Sequence, residues 1–151
     1  MTTEASLRPL PALQQTLAAE HAAVHVYGVL GGRVSELADP TAAERLDAAY
    51  EAHRARRDQL RSVIADLGEE PVAAAAGYRV DVKSRDAEEL LRVARLTEER
   101  CAGFYAQLVA SSVEGHRRWA IAALTDSAVR LLTLGGSPDA YPGADELASS
   151  S

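Results

Sequence analysis

Apolar residues recur at steps of three and four in four separate stretches of the chain, the spacing of one face of an α-helix. The first predicted helix covers about 11–37, with a stripe at Leu13, Leu17, Glu20, Val24, Tyr27, Gly31 and Val34. The second covers 41–67, with Leu46, Tyr50, His53, Arg57, Leu60, Ile64 and Leu67. The third, about 84–110, carries Leu91, Ala94, Glu98, Cys101, Tyr105 and Leu108. The fourth, about 113–134, carries Arg117, Ile121, Leu124, Ala128 and Leu131. Pro9 and Pro11 suit the first turn of the first helix. Asp39 or Thr41 can cap the second, Gly68 can end it, and Ser84 can cap the third. Gly31 and Gly32 do not interrupt the register, so the first helix is read through them to Leu37. Small residues there would let another backbone come close.

The connections decide the architecture. Helices one and two are separated by a few residues, as are three and four. Between two and three lies "GEEPVAAAAGYRVDVK", about sixteen residues. Short, long, short is the pattern of two antiparallel helix hairpins joined by a long crossover, an all-α, ferritin-like four-helix bundle. One domain is expected over 11–143, with flexible termini at 1–10 and 144–151.

Composition narrows the functional classes. The chain has 151 residues and a formal charge of −6. That charge argues against nucleic acid and anionic lipid as partners. No apolar stretch near the middle is long enough to span a bilayer as a helix, and the opening residues lack a signal-peptide pattern. A single cysteine, Cys101, rules out a disulfide within the chain and any Cys-based zinc motif. A cytoplasmic protein is expected.

The polar residues on the apolar stripes are the candidate site. Two-metal centres in such bundles take one Glu from each of two helices and Glu-x-x-His from each of the other two. Glu20 and Glu98 could be the lone carboxylates, but no acidic residue in this chain precedes a histidine by three. Arg57 lies within roughly one turn of the level of Glu20 at ~1.5 Å rise per residue. A guanidinium cannot ligate a metal. Glu20, His53, Arg57, Glu98 and Tyr50 are therefore expected to form a metal-free polar network or a degenerate metal site. Tyr27, Tyr78 and Tyr105 are candidate pocket-lining residues. No catalytic residue and no metal ligand is assigned.

The stretches "LAAEHAAVHVYG", "AHRARRDQL", "AGY" in the crossover, "LTEERCAGFYAQLV" and "AYPG" resemble the bacterial ferritin-like family listed as domain of unknown function 4439, from about Leu13 to Gly143. The resemblance implies a ferritin-type four-helix bundle and no activity. It places motif residues at Glu20, His53, Arg57, Tyr78 and Glu98.

Other signals have plain readings. His21 and His25 are four apart, a spacing that can bind zinc, but no third ligand accompanies them. "HRARR" has acidic neighbours at helical spacing and reads as a solvated face. Cys101 sits on a core stripe, where an inert thiol is the expectation. Trp119 packs near the start of helix four. Tyr78 should pack across the bundle with its hydroxyl on a polar partner.

Three functions remain open. The first is a non-enzymatic bundle, a homodimer without cofactor, acting as a structural or interaction module. The second is an iron- or manganese-dependent oxidoreductase or metal-binding protein using Glu20, His53 and Glu98. The third is a small-molecule binding protein using the polar core beneath Tyr78.

Overall fold

Four helices form where the periodicity places them. The computed structural model describes residues 9–145. They are α1 (Leu10–Arg33), α2 (Pro40–Asp66), α3 (Ala87–Ser111) and α4 (Glu114–Thr133). Pro9 stands at the N-cap of α1 and Pro11 in its first turn. Asp86, not Ser84, is the N-cap of α3, its carboxylate accepting from the Glu89 backbone N–H. Ser84 Oγ accepts instead from the Asp86 N–H. After α2 the chain turns at Gly68, whose φ of +78° an L side chain rarely adopts. Asp39 stands at the N-cap of α2 without a side-chain cap bond.

α1 packs along both α2 and α3, and α3 packs along α4. α2 and α3 stand on the diagonal, their backbones well apart and their long polar side chains meeting across the interior. The result is a four-helix bundle of two helix hairpins linked by the 67–86 crossover. Among the described residues there is no strand, and no helix is long and apolar enough to cross a membrane. The crossover runs extended and is tied to α1. Gln14 donates to the Glu70 carbonyl and accepts from the Val72 N–H, at 2.7 and 2.8 Å. His21 Nε2 lies 3.0 Å from the Val72 carbonyl.

Two apolar clusters fill the ends of the bundle. One gathers Tyr27, Leu30, Leu46, Leu90 and Leu134; the other gathers Leu13, Leu17, Leu60, Ile64 and Leu108. Each fully buried leucine contributes about 1.5–3 kcal/mol. Between the clusters lie buried Glu20, His53, Arg56, Glu98 and Ser127.

The structure corrects three expectations. α1 ends at Arg33, and Leu37 is 98% exposed rather than on the core stripe. Val34 has already turned to an extended conformation, so the register breaks there. Gly31 and Gly32 remain helical, but nothing approaches either one. On α4 the buried face is Ala120, Ala123 and Ser127, while Ile121 is 47% exposed. Small residues seat α4 against α3, and its larger apolar residues point elsewhere. Of the flexible termini expected at 1–10 and 144–151, residues 1–8 and 146–151 lie outside the described chain; Leu10 begins α1, and Ala144 and Asp145 are helical.

Candidate functional site

Each helix delivers polar side chains to one level of the interior. α1 brings Glu20, α2 brings His53 and Arg56, α3 brings Glu98 and Tyr105, and α4 brings Asp126, Ser127 and Arg130. Glu20 and His53 are fully buried, and Glu98 is 1% exposed. His53 Nδ1 lies 2.6 Å from Glu20 Oε2, and its Nε2 lies 2.9 Å from Glu98 Oε1. An ionised carboxylate only accepts hydrogen bonds. With both glutamates ionised, both ring nitrogens must donate, so the ring is an imidazolium bridging two helices.

The energetics agree with that assignment. Burial alone would lower the pKa of His53. Hydrogen bonds to Glu20 and Glu98, with their charges, outweigh it and raise the value to about 9. Burial likewise pushes the Glu98 carboxyl up. The His53 hydrogen bond and charge, the Ser127 hydroxyl and the Arg130 charge overcome this and lower it to about 2.

A second layer of donors completes the cluster. Tyr27 donates to Glu98 Oε1 at 2.8 Å, and its ring stacks on His53 with centroids 5.2 Å apart. Ser127 donates to the other oxygen of Glu98. Tyr105 donates to Glu20 and accepts from Arg56 Nη1 at 2.9 Å. Arg56 also pairs with Asp126, which Arg130 meets at 2.9 Å. Arg130 reaches to 4.0 Å from Glu98. Burial, followed by the neighbouring glutamate charges, raises both tyrosine hydroxyls well above their usual range, so they stay protonated donors. Among the described residues, no buried side-chain nitrogen or oxygen lacks a hydrogen-bond partner.

Charges balance in this cluster. Glu20, Glu98 and Asp126 supply three carboxylates; His53, Arg56 and Arg130 supply three cations. Cys101 is buried alongside, and desolvation, with the two glutamate charges, raises its thiol well above the ordinary range. Arg56 acts in the opposite direction without prevailing. The thiol is therefore protonated and unreactive in the folded state.

The structure brings together Glu20, His53 and Glu98 as the sequence suggests, and it adds Tyr27 and Tyr105 as donors. Arg57 does not join them. It is part-exposed and pairs with Asp58 at 2.8 Å, while Arg56 supplies the buried guanidinium. Tyr50 is half-buried against the apolar cluster at the α1–α2 turn. Tyr78 stays on the crossover, its hydroxyl accepting from the Ala75 N–H and its ring 5.3 Å from that of His25. His21 and His25 thus hold the crossover to α1. Sequence reasoning missed Arg56, Asp126, Ser127 and Arg130. Their helices carry charges and small polar residues throughout, so nothing local in the sequence singles them out.

The donor set does not fit a pair of metal ions. It offers two glutamates and one histidine, and the side chains next to them include the permanent cation Arg56 and the donor Ser127 rather than further carboxylates or histidines. The only group of three metal-capable residues found among the described residues is Glu20, His53 and Cys101, whose ligand atoms lie within 4.8 Å of one another.

The family model described as a domain of unknown function (DUF4439) matches residues 12–146. The fold is similar to the crystal structure of a conserved hypothetical protein, Rv2844, from Mycobacterium tuberculosis. That likeness has a TM-score of 0.77 and 28% sequence identity, covering 88% of this chain and 98% of the other. No curated protein matches the chain.

Proposed function

We propose that this chain, which belongs to the DUF4439 family, is a non-enzymatic structural or interaction module of ferritin-like design in which an imidazolium holds the place of a metal. The observation that carries this reading is His53 held by both ring nitrogens between Glu20 and Glu98. The three carboxylates and three cations of the cluster, His53 among them, leave no net charge for a metal ion to neutralise. A buried network of this kind adds little net stability over apolar packing. Its use would be to fix the register of four alanine-rich helices that could otherwise slide.

A homodimer is part of the same proposal. Ile121, Val129 and Leu132 lie on one exposed face of α4. Replacing Ile121 and Leu132 by Glu should convert a dimer to a monomer in size-exclusion chromatography with light scattering. A monomeric parent protein would end that part of the reading. A lone cysteine without a disulfide partner in the chain fits a reducing compartment such as the cytoplasm.

A second reading, metal binding, draws support from the proximity of Glu20, His53 and Cys101. A single ion there would need a lone pair on His53 and a thiolate at Cys101, so binding would release protons. Elemental analysis before and after incubation with ferrous iron, manganese or zinc separates the two readings. The charge-balanced centre predicts no bound metal in either sample. Stoichiometric metal that is lost on Glu20→Ala would replace it with the metal reading.

A further inference from the structure

Beyond the polar centre, the chain after α4 folds back over α3 and α4 and roofs a cavity of about 180 Å³. Its walls are Ala102, Ala128, Leu131 and Leu132, and Glu98 and Ser127 of the polar centre also line it. The roof is Ser137, Pro138, Asp139, Pro142 and Gly143. Its far end is fixed by close packing. Gly143 is buried at a φ of +80°, and a Cβ there would lie 2.4 Å from the Ala102 carbonyl oxygen. Only glycine fits, so the roof is seated by the sequence.

We propose that this cavity binds a small apolar organic cation, an alkyl- or arylammonium. The volume is about that of cavities known to hold a benzene-sized molecule. Every charged side chain on its lining is acidic: Glu98, Glu99 and Asp139. Glu98 is already neutralised by His53, so its charge is not available to a ligand. Glu99 and Asp139 are different. Neither has an ion-pair partner among the described residues; Asp139 accepts only the Tyr141 backbone N–H, at 3.0 Å. Apolar walls with uncompensated carboxylates and no lining cation select an apolar body with a positive head, and reject an anion.

Three probes of one size and different charge test the assignment: benzylammonium, benzyl alcohol and benzoate, followed by backbone amide NMR shifts at pH 7. Benzylammonium should give saturable shifts at Ala102, Ala128 and Gly143, with affinity ~10-fold or more above that of benzoate and benzyl alcohol between them. Glu99→Gln and Asp139→Asn should each weaken benzylammonium about 3–5-fold, less so at high salt. Ala128→Phe, which fills the cavity, should abolish binding of all three. Gly143→Ala, which unseats the roof, should weaken benzylammonium while the helices stay folded. Absence of saturable shifts, equal or tighter binding of benzoate, or binding unchanged by Ala128→Phe would each overturn the proposal.

Discussion

Replacing His53 by Leu removes the only cation lying between Glu20 and Glu98 while keeping a comparable apolar volume. The pKa of His53 rises from 6.5 to about 9 on folding, a gap worth ~3 kcal/mol. Glu98, lowered from 4.5 to about 2, reports the same contact from the other side, so the two are not summed. Stranding a buried charge costs ~3–5 kcal/mol, which agrees. At about 2–4 °C per kcal/mol for a chain of this size, the melting temperature should fall by ~6–20 °C at pH 7. The pH dependence is the sharper signature. A histidine whose pKa is raised on folding stabilises fully below 6.5, and its contribution fades as pH climbs through 9. Glu98, lowered on folding, stabilises above 4.5, and its contribution is lost as pH falls through 2. The parent should therefore hold its stability from these two groups between 4.5 and 6.5 and lose it on the alkaline side. In His53→Leu the stranded Glu98 carboxylate would gain from protonation, so stability should rise as pH drops from 7 toward 5. Urea denaturation from about pH 5 to 10 measures both slopes. A variant within ~0.5 kcal/mol of the parent, with the same pH profile, would refute the bridging imidazolium.

Two further outcomes follow from the same geometry. Arg56→Met should destabilise by ~1–3 kcal/mol, because Tyr105 and Asp126 lose a charged donor, whereas Arg57→Met should stay within ~0.5 kcal/mol; thermal melts of the pair separate neighbours that the sequence cannot rank. Cys101 should resist alkylation by iodoacetamide at pH 8 in the folded protein and react readily in urea; rapid reaction without denaturant would contradict its burial.

The helix count, the hairpin pairing and the long crossover were legible because apolar periodicity and loop length are local signals. The site was legible only in part. On α2, Leu46, His53 and Leu60 recur at steps of seven, and both period and spacing permit either intermediate position. Tyr50, larger and more apolar than Ala49, and Arg57 one heptad on look like the better core candidates. The fold buries Ala49 and Arg56 instead, because a small residue lets α1 approach and the stripe then leans one residue toward the N-terminus. α4 shows the same effect, with Ala120, Ala123 and Ser127 inside and Ile121 outside. Which side of a helix meets its neighbour depends on partners far away in the chain. Asp126 and Arg130 entered the network for that reason, although each alone reads as an ordinary surface charge.

The protonation state of His53 is the quantity on which the account rests. A nitrogen-15 NMR titration of the selectively labelled histidine ring measures it directly. The account predicts that both ring nitrogens carry protons at pH 7, each hydrogen-bonded to a carboxylate, with deprotonation near pH 9. A neutral ring at pH 7, or one nitrogen bound to a metal ion, would contradict it.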